Sequence, residues 1–141
     1  MLDLTALTKM GFEEPKNLWT LNLKEVPKVF GAYVILWPSS GRPSFLETST
    51  AGTYRKDPTT RPSSDLYRRW VDGTSIIYIG AAGLTPENKT TLRGRLRAYQ
   101  RYGQGQNGVT HEGGYRIWQL KDVKDLLVTW KPIPGVPGKV L

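Results

Sequence analysis

Two rhythms of apolar residues run along the chain. Leu4, Leu7 and Met10 recur at helical spacing, behind Asp3 as a potential N-cap and ahead of Gly11 as a stop, which predicts a short helix over 3–10. Residues 13–17 are polar around Pro15 and read as loop, and Lys24-Glu25-Val26-Pro27 reads as a short turn. The rhythm then changes. Residues 30–37, FGAYVILW, are rich in strand formers and are closed by Pro38 and a Ser-Ser-Gly cluster, which predicts a first strand. A second is predicted over 74–81, TSIIYIGA, where the unbroken apolar run implies burial on both faces. Residues 126–131, LLVTWK, predict a third. Thr90 or Thr91 is a plausible N-cap for a helix reaching about Tyr102 and ended by Gly103. Residues 104–114 are glycine-rich and loop-like, 115–120 suit a strand or a helix start, and the Pro/Gly-rich 132–138 suits no regular element.

The segment 38–74 differs in character. It holds four prolines (Pro38, Pro43, Pro58, Pro62) and six basic against four acidic residues, with a short amphipathic piece over 65–71 that carries Leu66, Tyr67 and Trp70. A connection this long inside a small domain is unusual and tends to be functional or disordered. It reads as an insertion between two strands that are neighbours in the sheet.

Composition narrows the class. At 141 residues the chain is long enough for one domain with one modest core, and 38% hydrophobic content with five Trp and seven Tyr argues for a folded protein. Twenty Lys and Arg against twelve Asp and Glu leave a formal charge of +8. Such an excess commonly marks nucleic-acid binding, because cations that neutralise phosphates release condensed counterions; a merely soluble basic surface is the plain alternative. The absence of cysteine excludes disulfides and thiolate metal sites, and one histidine excludes a multi-histidine zinc centre. No run approaches the roughly 20 apolar residues that span a bilayer, and no cleavable leader is visible, so the cytoplasm is the default compartment by elimination.

The predicted helix after the second strand carries the most chemistry. Leu92, Leu96 and Tyr99 fall on one stripe, while Arg93, Arg97 and Arg101 form a cationic row along another side. Arg95 borders the apolar stripe, so it is the arginine that points toward a cleft, where a guanidinium can grip a phosphate in two-pronged fashion. An ordinary solvated helix would carry the same row. Gly94 costs about 1 kcal/mol relative to Ala in a helix interior, which close approach of another backbone or of DNA would explain, as would tolerance at a surface position.

Gly31-Ala32-Tyr33 on one strand, Tyr78-Ile79-Gly80 on a later strand, and the helix motif Leu92-x-x-Arg95-Leu96-x-x-Tyr99 resemble, in order and element type, the GIY-YIG nuclease family. The likeness spans about 27–130. It implies an α+β fold, a small three-stranded antiparallel sheet flanked by helices, with the 38–74 segment as a long insertion between the first two strands in a single domain over 1–141. It implies a metal-dependent DNA endonuclease in which a tyrosine activates water and an arginine stabilises the pentavalent phosphate. Tyr33 and Tyr78 take the tyrosine roles and Arg95 the arginine role. Tyr99 stands one turn beyond, and His111 is a further candidate that could relay a proton. Arg93, Arg97 and Arg101 would bind the DNA backbone. The family holds Mg²⁺ or a similar divalent cation through a glutamate on a helix after the third strand; no glutamate here lies at the matching position, and that ligand is expected beyond Leu141. The ending Gly-Lys-Val-Leu reads as a cut through a continuing chain, so the 141 residues alone are expected to be catalytically poor. A non-catalytic nucleic-acid-binding module of the same fold is the alternative reading, and an interaction protein with core tyrosines is a third. The DNA target and the oligomeric state stay open, a homodimer being what cutting both strands would often need.

Overall fold

The computed structural model describes residues 3–51, 53–54, 57–58, 60–83, 90–106 and 115–134. It is α+β. Helix α1 (Leu4–Lys9) begins at Asp3, whose carboxylate accepts a hydrogen bond from the Ala6 amide at 2.9 Å, and ends before Gly11 at φ +93°. Only Leu7 of the predicted apolar stripe is buried; Leu4 and Met10 face solvent, because six residues present one side chain squarely to the sheet. Strand β1 (Lys16–Asn17) follows, then a 3-10 turn over Leu23–Glu25, then β2 (Gly31–Leu36). The insertion contains a small hairpin, β3 (Thr53–Tyr54) with β4 (Asp57–Pro58), and helix α2 (Ser63–Arg69). Strand β5 (Ile76–Ala82), helix α3 (Leu92–Gly103), 3-10 turns at Tyr115–Gln119 and Val123–Asp125, and β6 (Leu127–Pro132) complete the order.

The main sheet is antiparallel and ordered β1-β6-β2-β5, four strands rather than the three predicted. The extra strand is β1, where Lys16 pairs with Val128 and Asn17 with Leu127. Two polar residues next to Pro15 carry no strand signal of their own; the exposed edge of β6 recruits them. The insertion joins β2 to β5, which are neighbours in the sheet with Tyr33 opposite Gly80.

A second correction concerns β5. Its apolar run predicted burial on both faces, yet β5 is an edge strand and Ile79 is 57% exposed. A register shift between Ile35 and Leu36 leaves Ile77 unpaired with β2, and Ile77 and Tyr78 both pack against the main core while Ile76 joins the opposite face. A bulge of this kind re-aims side chains without lengthening the partner strand.

Two layers cover the sheet. On one face Tyr33, Ile35, Val128 and Trp130 meet Leu92, Leu96 and Tyr99 of α3, with Trp118 closing the far side. On the other, Leu7 of α1 and Phe12 lie over Val34, Leu36 and Leu127. Buried glutamines fasten the periphery. Gln100 Nε2 donates to the carbonyls of Leu18, Trp19 and Leu21 at 3.1–3.2 Å, anchoring α3 to the turn after β1. Gln119 donates to Leu46 O (3.0 Å) and Arg61 O (2.7 Å) and accepts from Arg61 N (2.8 Å), tying the insertion down at two points. Phe45 also bridges to Leu120, so the described part of the insertion packs on the body of the protein. Among the described residues, no helix is long and apolar enough to cross a membrane.

Candidate active site

Tyr33 and Tyr78 come from β2 and β5 and share the sheet face that α3 covers. Gly80 makes this arrangement feasible. It sits directly across from Tyr33, and a Cβ there would stand 2.2 Å from Tyr33 Cζ and 2.3 Å from its hydroxyl oxygen. The phenol therefore lies flat over the space a side chain would have filled. Gly31 is held to a similar constraint: a Cβ would stand 2.3 Å from the Lys131 carbonyl oxygen of β6 and 2.8 Å from Leu92 Cδ1 of the helix. The two glycine–tyrosine tripeptides are thus coupled, each glycine clearing room for a neighbour on the same face.

Thr91 caps α3, its hydroxyl accepting from the Gly94 amide at 3.2 Å. Gly94 is approached only by Thr90 Cγ2 at 3.2 Å and Thr91 Oγ1 at 3.4 Å, so among the described residues no foreign backbone lies against it. From that start, Leu92, Leu96 and Tyr99 turn inward and are fully buried, as their spacing predicts.

Three tyrosines gather at the junction. The Tyr33 and Tyr78 ring centroids are 6.1 Å apart, Tyr33 and Tyr99 6.3 Å, and Tyr78 and Tyr99 5.6 Å. Arg95 joins them, hydrogen-bonded to Tyr33. Its Nε is buried and has no hydrogen-bond partner among the described residues, which leaves donor capacity directed into the protein rather than spent in solvent. Tyr33 and Tyr99 are fully covered, whereas Tyr78 is half-buried and within reach of a ligand.

Electrostatics distinguishes these hydroxyls. Burial pushes the Tyr33 phenol well above its ordinary range, and proximity to Tyr78 adds to this; the charge and hydrogen bond of Arg95 oppose it without winning. Tyr99 is raised for the same first reason, with Tyr33 and Tyr78 contributing. Both are therefore neutral at physiological pH. Tyr33 thus meets Arg95 and Tyr78 as a neutral hydrogen-bonding group, and neither phenol is a preformed phenolate.

The cationic row divides. Arg93 turns back to its own protein, donating to Val26 O at 2.7 Å and Lys24 O at 3.2 Å. Arg97 is exposed and Arg101 half-exposed, so these two remain on the surface. His111 lies outside the described residues. Among the described residues, no group of three or more His, Asp or Glu side chains could hold a metal ion.

Trp118 belongs to the site although its sequence context does not announce it. Its ring stands 5.1 Å from Tyr99 and packs against Gly103, where a Cβ would come within 2.2 Å of Trp118 Cε2. The one local hint is a tryptophan preceded by Ile117 after a glycine-rich stretch, which fits a core position equally well. Comparison of the chain with protein-family models, with curated proteins and with solved structures yields no match in any of the three.

Proposed function

We propose that this chain is a phosphodiester-cleaving nuclease domain of GIY-YIG type acting on DNA. One observation carries the reading: Arg95, hydrogen-bonded to Tyr33 and retaining a buried free donor, meets Tyr33, Tyr78 and Tyr99 where β2 and β5 face α3. A guanidinium fixed in this way offers planar donors to phosphate oxygens, and in a largely dry site it stabilises charge that develops during phosphoryl transfer. Tyr78, the accessible tyrosine, orients the attacking water. Tyr33 and Tyr99 brace the pair from beneath. A divalent cation such as Mg²⁺ would supply Lewis acidity to the phosphate.

A second reading is a nucleic-acid-binding module that does not cut. The complete burial of Tyr33 and Tyr99 favours it, since two of the three hydroxyls are out of a substrate's reach. One experiment separates the two. Supercoiled plasmid is incubated with Mg²⁺ or EDTA, using the 141-residue chain and one continued past Leu141. The nuclease reading expects Mg²⁺-dependent nicking that Arg95→Ala reduces about 100- to 1,000-fold with little loss of binding. Salt-sensitive binding without nicking by either chain selects the binding module. Nicking indifferent to Arg95→Ala, or no DNA binding at all, overturns the proposal.

A further inference from the structure

A cavity of about 180 Å³ opens between the insertion and the edge of β5, with Phe45, Trp70, Ile77 and Ile117 among its walls and Arg69 and Arg116 at its polar side. Its position relative to the tyrosine–arginine cluster is what gives it meaning. Ile77 immediately precedes Tyr78, and Ile117 immediately precedes Trp118, whose ring contacts Tyr99. Consecutive Cα atoms lie about 3.8 Å apart, so two wall residues of the cavity are direct chain neighbours of Tyr78 and Trp118.

Its size and lining select a ligand class. At about 180 Å³ it falls below the roughly 300–1,000 Å³ of a site that engulfs a whole drug-sized molecule. It suits one flat ring belonging to something larger. Trp70 stands edge-on to Trp37 at 5.0 Å and to Phe45 at 6.3 Å, a rigid aromatic corner of the kind on which rings stack. The surrounding charge is positive. Arg68 and Arg69 both pair with a single carboxylate, Asp65, and Arg42 lies 4.3 Å over the Tyr67 ring beside Phe45. Two guanidiniums to one carboxylate, with Arg42 alongside, give this rim a cationic character. An aromatic corner with a cationic rim is how proteins hold unpaired bases and the phosphates attached to them.

We propose that this cavity receives one unstacked nucleobase next to the phosphodiester held at Arg95, so that the preferred substrate is single-stranded or locally unpaired rather than continuous duplex. The inference rests on the proposed action on nucleic acid and specifies its substrate. An intact duplex keeps every base in the stack and cannot fill the cavity.

The test compares, at one salt concentration, a single strand, a duplex with one unpaired base, and a fully paired duplex of equal length. The first two should bind about 5- to 150-fold more tightly, the range that stacking one base on an aromatic supplies. Trp70→Ala should erase the difference. Because Trp70 also supports the fold, Arg69→Ala serves as a second variant: its side chain is more than half exposed, and its loss should weaken unpaired substrates more than paired ones. Photocrosslinking to the unsubstituted chain, with 5-iodouracil at the unpaired position, should mark Phe45 or Trp70. Equal affinity for all three nucleic acids, or crosslinks only outside the cavity, overturns the base pocket. Failure of every oligonucleotide to bind instead removes the nucleic-acid reading beneath it.

Discussion

At the scale of single residues, Gly80 and Tyr33 form one unit. The phenol occupies the volume a Cβ at position 80 would need, 2.2 Å from Cζ, so Gly80→Ala must displace a buried ring. A loss of about 1–3 kcal/mol in urea denaturation is expected, as for other overpacked cores. The smaller pairing Gly80→Ala with Tyr33→Leu should recover part of it. The weakened acidity of the Tyr33 and Tyr99 phenols also predicts alkaline behaviour. In the unfolded chain these phenols ionise around pH 10.0, while burial keeps them protonated in the fold. Above that pH the unfolded state binds fewer protons than the native state, so stability, fully present below it, falls as pH rises. Each tyrosine contributes a slope of up to about 1.4 kcal/mol per pH unit, and Tyr33→Phe should remove one share when unfolding is followed from pH 9 to 11. Gly31-Ala32-Tyr33 and Tyr78-Ile79-Gly80 were readable as motifs. That the glycine of the second makes room for the tyrosine of the first follows only from strand register.

At the scale of elements, α3 and the insertion hang on side chains that composition does not single out. The helix was legible because its signals are local: Thr91 as cap, an apolar stripe through Leu92, Leu96 and Tyr99, and Gly103 at the end. Gln119 carried no such signal, since a glutamine among Ile117, Trp118 and Leu120 looks like an interruption of a strand. In the fold its amide makes three hydrogen bonds that hold residues 46 and 61 of the insertion. Gln119→Leu should therefore cost about 1–3 kcal/mol by stranding buried backbone groups, and limited proteolysis should cut first within the insertion. Gln119→Glu keeps the acceptor but loses the donors, so it should not rescue. Arg93 shows the same limit in another form. Its place on the helix predicted a phosphate contact, but a neighbouring 3-10 turn presents carbonyls that claim its guanidinium first.

For the whole molecule, the +8 charge predicts binding that weakens steeply with salt. The structure refines which cations should count. Arg97→Ala, at an exposed site, should lower the log–log salt slope of DNA binding by about 1 without changing thermal stability. Arg93→Ala should do the reverse, lowering the melting temperature and leaving the slope nearly intact. Measured side by side by fluorescence anisotropy and calorimetry, the pair separates a ligand-binding cation from a structural one. The sheet tells a parallel story about scale. Its three longer strands were readable from runs of β-branched and aromatic residues, whereas β1 exists only because β6 offers it an edge, and β5, which exposes Ile79, is the last of the described strands in the order β1-β6-β2-β5.

By itself the sequence determined what depends on near neighbours: an α+β chain, the stripe and cap of α3, the strand runs that carry Tyr33 and Tyr78, and an Arg95 set against the apolar stripe. These follow from backbone periodicity and from local hydrogen bonding, which act within a few residues. Tertiary structure decided everything that depends on residues far apart in the chain. It buried Tyr33 and Tyr99 and left Tyr78 reachable, spent Arg93 on a carbonyl pair, brought Trp118 to the tyrosine cluster, and opened an aromatic, cationic cavity beside it. Burial and charge pairing are set by whichever segments meet in space, and no local pattern encodes which ones do.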